Sequence, residues 1–195
     1  RKSSLKKYDY VLVGWNEDCA SILKTNYPKD RIIHICQSFE TWANDVYSSR
    51  IIYNNKIHRL SVAKWLSDCM QKQSLNNFFI GNCIQDSFFE NQKNINFSKK
   101  KYITYLSYKG WFKNSIESAL LSEKLAGALN LSVIRIGKDF SKKEIKTISY
   151  SNLRPNQIRE VFDKTKFVVS LSHYEGLPLF IIEALSRGCI AILSN

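Results

Sequence analysis

Apolar and polar positions alternate along the chain in two patterns. Short runs rich in Val, Ile, Leu and aromatic residues occupy 8–14, 31–36, 56–60, 101–106, 131–137, 147–151, 166–172 and 189–193. Runs of this length and composition predict strands. Between most of them apolar positions recur at helical spacing. Asn16 can cap a helix that Pro28 closes, and 46–55 reads as a short helix and turn. Ser61 can cap a helix over 62–73, with Val62, Trp65, Leu66 and Met70 on one stripe. A longer helix over 115–129 places Ile116, Leu120, Leu121, Leu125 and Ala128 mostly on one face. Ser141 and Glu144 have capping-box spacing, and Pro155 starts another helix. The last helix covers 179–187, with Pro178 in its first turn and Gly188 as its C-cap.

Alternating strands and helices predict an α/β protein with parallel sheets. Residues 90–100, rich in Asn, Lys and Ser, interrupt the alternation. The expected organisation is therefore two Rossmann-like halves, 1–88 and 101–195, joined by a linker at 89–100, with a cleft between them. The alternative makes the linker an insertion in one sheet, with the strands at Val11 and Val168 in a single ladder. No internal repeat is visible.

The richest stretch is the last strand, loop, helix and strand. Its loop, His173-Tyr-Glu175-Gly176-Leu177-Pro178, leaves the C-terminal end of a parallel strand, where such sheets bind ligands. Amides of Gly176, Leu177 and the helix start can hold a phosphate, and the helix dipole adds roughly 0.3–1 kcal/mol per charge. Glu183 is a carboxylate in an otherwise apolar helix, costly unless something satisfies it. The two hydroxyls of a nucleotide ribose would do so. The plainer reading is a helix-surface Glu after an ordinary loop.

Glu175-Gly-Leu-Pro-Leu-Phe-Ile-Ile-Glu183-Ala-Leu-Ser-Arg-Gly188 resembles the Glu-x7-Glu motif of retaining glycosyltransferases with the two-Rossmann-domain GT-B architecture, and is most similar to glycosyltransferase family 4 (group 1). The resemblance implies that Glu175 lies by the donor sugar, that Gly176 and Leu177 touch the diphosphate, and that Glu183 holds the ribose. It also implies that Lys109, in Lys109-Gly110 after the strand 101–106, neutralises the diphosphate. The family places an Arg at that strand end. None is present here, and Lys113 is the nearby substitute. In the first half, the family often carries a His facing the transferred sugar at the exit of the second strand. Gln37 takes that position, whereas His34 lies within the strand, where a core role is at least as good a reading. A buried Gln37 could orient a sugar hydroxyl but is neither acid nor base. Gln37, Glu40 and Trp42 together are similar to a branch that includes bacterial rhamnosyltransferases of surface-glycan assembly. Ser61 is a cleft residue by this resemblance and an N-cap by its spacing. Residues 77–89 resemble the family's strand and crossover, with Cys83 and Gln85 replacing Gly and Asp. Trp15, near a strand end, reads as packing or as a ligand contact.

The resemblance thus implies sugar transfer from a nucleoside-diphosphate-sugar to a glycan or lipid-linked acceptor, with retention of configuration. The expected type is a hexosyl- or rhamnosyltransferase of cell-envelope polysaccharide biosynthesis, with no cofactor beyond the donor. The chain reads as a fragment with both halves incomplete, whose activity in isolation stays open. The alternative is a non-catalytic nucleotide- or glycan-binding remnant of the same fold.

Composition refines this picture. The net charge of +12 over 195 residues favours anionic partners. Its lysines are dispersed rather than set in a stripe, and Lys99-Lys-Lys101 reads as a solvated flank, so nucleic acid is not an expected partner. Peripheral contact with an anionic membrane face suits the excess better. No stretch approaches the ~20 apolar residues of a spanning helix, so the expected location is cytoplasmic, with the inner membrane face as an option. Five widely spaced Cys read as reduced thiols without zinc-ligand spacing. With three His and no Asp-x-Asp at a strand end, a metal-independent site is expected.

Overall fold

The computed structural model of the protein describes residues 5–40, 46–138 and 147–194. Trp42 and the Ser141–Glu144 capping box lie outside the described residues. The chain divides into two units, 1–82 with 175–177 and 83–174 with 178–195. The strands holding Val11 and Val168 lie in separate sheets, which overturns the single-sheet alternative.

In the first unit β1 (Val11–Val13), β2 (Ile32–Cys36), β3 (His58–Ser61) and β4 (Phe78–Phe79) form a parallel sheet in that order. The helices α1 (Asn16–Leu23), α2 (Val46–Tyr53) and α3 (Lys64–Lys72) connect them. Val13, Cys19, Ala20, Ile32, Ile52 and Ile57 make its core. Two expected caps fall elsewhere. Trp15, not Asn16, occupies the N-cap of α1. Asn16 is buried inside the helix start, where its N–H donates to Glu40 Oε2 (2.9 Å) and its Nδ2 donates to the Phe39 carbonyl (3.1 Å). Ser61 ends β3, fully buried, with Oγ donating to the Phe78 carbonyl (3.4 Å), and Ala63 takes the N-cap of α3.

The second unit carries β5 (Tyr102–Ser107), β6 (Ser132–Gly137), β7 (Thr147–Tyr150), β8 (Thr165–Ser170) and β9 (Ile190–Leu193), with α4 (Ser115–Leu129), α5 (Pro155–Lys164) and α6 (Leu179–Ser186) between them. The sheet is parallel, in the order β7-β6-β5-β8-β9. The buried face of α4 is not the expected leucine stripe. Ser115, Ser118, Ala119, Ser122 and Ala126 are buried, Leu121 and Leu125 are half-buried, and Ile116, Leu120 and Ala128 are exposed. Small side chains let the helix approach the sheet closely. The hydroxyls survive burial because Ser118 and Ser122 donate to the carbonyls of Asn114 (3.0 Å) and Ser118 (2.7 Å). At the end of α6, Gly188 has φ +64°, Gly188 N–H donates to Leu185 O (2.9 Å) and Cys189 N–H to Ala184 O (3.1 Å). That is a Schellman ending, for which a residue without a Cβ is suited.

Residues 83–100, including the stretch expected as a linker, group with the second unit. Buried Arg187 anchors them: its guanidinium donates to the carbonyls of Phe88 (3.0 Å) and Glu90 (2.5 Å) and to Asp163 Oδ1 (2.7 Å). Lys100, equally buried, donates to the carbonyls of Phe162 (2.7 Å) and Arg187 (2.8 Å). The five cysteines form no disulfide. Among the described residues no helix is long and apolar enough to cross a membrane.

Candidate functional site

In the second sheet β5 is followed in sequence by β6 on one side, whereas β8 lies on the other. Connections leaving β5 and β8 therefore diverge, and the gap between their C-terminal ends is a topological switch point, the usual ligand position in open α/β sheets. The loop after β5 carries Lys109, Gly110 and Lys113. The loop after β8 runs through Glu175, Gly176 and Leu177 into α6. One backbone and one side-chain hydrogen bond join the two loops: His173 N–H donates to Phe112 O (2.8 Å), and Ser172 Oγ to Lys113 O (3.5 Å). Ser118 Oγ accepts from Leu171 N–H (3.1 Å), so α4 braces the second loop too. Ser115 Oγ bonds both the N–H (2.9 Å) and the carbonyl (3.1 Å) of Tyr108, fixing the start of the first.

Lys109 is exposed. Lys113 is half-buried, with Nζ 5.7 Å from the Phe112 ring centroid. Glu175 is half-buried. Glu183 is half-buried on α6, and burial raises its pKa above the ordinary carboxylate value. No hydrogen bond or ion pair reaches its carboxylate from the described residues. Pro178 takes the N-cap of α6 rather than its first turn. Ile181 and Ile182 N–H donate to Pro178 O (2.9 and 3.2 Å), which leaves the amides of Leu179 and Phe180 without intrahelical acceptors.

Glu175–Leu177 group with the first unit. Gly176 O accepts from Trp65 Nε1 (2.8 Å), and Leu177 packs against Val62, Ala63 and Leu66. A Cβ on Gly176 would stand 1.6 Å from Gln37 O, so backbone proximity demands glycine there. Gln37 follows β2 directly and is exposed, not buried as expected, because the alternation of β2 turns it away from the sheet face that holds Cys36. His34 is buried, with Nδ1 3.2 Å from Cys36 Sγ. Burial, with nearby Arg59, lowers its pKa to about 4, as suits a core residue. Trp15 is exposed.

Sequence reasoning passed over an aromatic cluster. The Trp111 ring centroid lies 6.1 Å from His173 and 5.7 Å from Tyr174, residues brought from the other loop. The signal available was an aromatic pair placed between two loop cations, Lys109 and Lys113.

No family model and no curated protein matches the chain. Solved structures do. TarM superposes with a TM-score of 0.72 at 17% identity, over 98% of this chain and 43% of that one. Both sheets match a known pair. The architecture is GT-B. Sucrose-phosphate synthase from Thermosynechococcus elongatus (TM-score 0.68, 11% identity, 96% of this chain and 56% of that one) shares it. So does Anabaena Alr3699/HepE, solved with UDP and glucose (0.67, 10% identity, 98% and 60%). The chain therefore spans about half the length of these proteins. At these identities the likeness is one of GT-B fold.

Proposed function

We propose that this chain carries the nucleotide-sugar site of a retaining glycosyltransferase. The observation that carries the reading is the switch point: the loop after β5, which carries Lys109 and Lys113, and the loop that leaves β8 toward α6 depart from neighbouring strand ends and are bonded to each other by His173 N–H to Phe112 O. Solution of a GT-B relative with UDP and glucose supports it. A diphosphate leaving group gains charge as the sugar bond breaks, and the transition state needs that charge stabilised. Lys109 and Lys113 supply cations, Gly176 and Leu177 amides, and α6 its positive end. Glu183 accepts from the ribose hydroxyls, and Glu175 orients hydroxyls of the donor sugar.

In this reading 1–88 is the acceptor-side domain, where Gln37 orients a sugar hydroxyl, 89–100 links it to 101–195, and the latter binds the donor. The finer assignment is family 4, in the rhamnosyltransferase-like branch, acting on a glycan or lipid-linked acceptor at the cytoplasmic face of the membrane. One observation favours a second reading, a non-catalytic nucleotide- or glycan-binding protein: no Arg follows β5, and Lys109 stands exposed.

Titration calorimetry with UDP and dTDP, beside duplex DNA, tests the proposal. Saturable binding of one diphosphate, with only salt-sensitive DNA binding, is expected. Absence of diphosphate binding would sink both readings of the site as nucleotide-binding. Binding without transfer activity in the full-length protein would favour the second.

A further inference from the structure

Trp111 has no role in that reading, yet its placement is unusual for a residue that serves only the fold. It is 61% exposed on a loop held by the His173–Phe112 backbone bond. Tyr174 meets it edge to face at 85°, and His173 lies tilted at 38°. Phe112 adds an edge contact at 87°. Gly110, at φ +146°, makes the turn that presents the indole. The Trp111 N–H has no hydrogen-bond partner among the described residues. A large aromatic left in water contributes little to folding, and a braced one with an open N–H is suited to recognition.

We propose that Trp111, with Tyr174 and His173, is a stacking platform for the sugar ring of the nucleotide-sugar donor. The proposal rests on the nucleotide assignment of Lys109, Gly176 and Glu183. In that assignment the ribose and its base lie toward Glu183, beyond the diphosphate in chain order. The transferred sugar is bonded to the other phosphate, so it lies toward the residues preceding Gly176. The platform borders that end along the chain: Tyr174 directly precedes Glu175, Trp111 lies two residues after Lys109, and the two rings meet. A pyranose presents C–H groups on one face and hydroxyls around its rim. An indole face takes the former, and the indole N–H takes one of the latter.

Calorimetry on the full chain separates this from base stacking. UDP, dTDP and GDP are titrated beside UDP-glucose, UDP-N-acetylglucosamine, dTDP-rhamnose and GDP-mannose. Trp111→Ala is expected to weaken the preferred sugar nucleotide about three- to tenfold while leaving its parent diphosphate within about twofold. Trp111→Phe should recover most of the loss. Equal weakening of the parent diphosphate would assign the platform to the base and overturn the proposal, as would no change in either ligand. If wild type binds no diphosphate, the nucleotide assignment itself fails, and the platform falls with it.

Discussion

The loop after β2 and the loops after β5 and β8 all leave the C-terminal ends of parallel strands, but they use their polar groups differently. After β2, Glu40 turns inward at φ +52°, and its buried carboxylate is taken up by Asn16 N–H. Asn16 in turn holds Phe39 O. Beneath them, buried Arg59 donates to the carbonyls of Ile52 (2.7 Å), Asn55 (2.8 Å), Ile57 (3.3 Å) and Asn76 (3.5 Å). Among its guanidinium nitrogens only Nε lacks a partner within the described residues. After β5 and β8 the backbone is bonded just as firmly, but Lys109 and Trp111 face water and the Glu183 carboxylate meets no described partner. Polar groups mostly taken up by protein, with Asn16 Oδ1, His34 Nε2 and Arg59 Nε as exceptions, build architecture; those left exposed on a braced frame are available to a ligand.

The sharpest break of that contrast is Arg59→Met. Four carbonyls would lose their donor, and a cost of about 3 kcal/mol or more is expected in urea unfolding. A loss under about 1 kcal/mol would mean the first unit's buried cation is not architectural. Next comes Lys109→Ala, expected to lower turnover of the full-length protein about 10²-fold with little change in KM, because it acts on the developing charge. The wild-type rate should survive EDTA; its abolition by chelation, or an unchanged turnover in Lys109→Ala, breaks the charge assignment.

The third concerns pH. His34 titrates at about 4 in the fold against an ordinary 6.5. Between those values the unfolded chain binds a proton that the folded one refuses. Stability contributed by neutral His34 is full above 6.5 and falls as pH drops toward 4, by at most about 1.4 kcal/mol per unit. Glu40 and Glu183, whose pKa values burial raises, work in the opposite direction. The His34 contribution should lower the urea midpoint as pH drops below 6.5, and its size is read as the difference in pH slope between wild type and His34→Gln, in which that contribution is absent. An unchanged slope would refute the assignment. The smallest effect expected is at Glu183. Glu183→Gln removes a half-buried charge without a protein partner, so it should stabilise the free protein by about 1 kcal/mol, roughly 2–4 °C in Tm. The same change should weaken UDP about tenfold by replacing the charged acceptor of the ribose hydroxyls. Stability lost together with affinity would instead mark Glu183 as structural.

Element type and order were legible in the sequence because they rest on local periodicity. The long helix matches Ser115–Leu129, and Pro155 opens its helix as expected. The Schellman ending at Gly188 was legible for the same reason, since its bonds span few residues. The strand–loop–helix context of Glu175 to Glu183 was likewise local, although their chemical roles are proposals. What sequence could not decide was every choice made by residues distant in the chain. Which face of α4 is buried depends on how near the sheet allows a helix to come, and that selected Ser and Ala over Leu. Asn16 was claimed by a carboxylate 24 residues away instead of capping its own helix. The glycine at 176 is required by the carbonyl of Gln37, and the neighbourhood of Trp111 is supplied by residues from the loop after β8. Periodicity records what a residue's own turn or strand permits, whereas these contacts arise only when separate segments close on one another, and no spacing within either segment carries that distance.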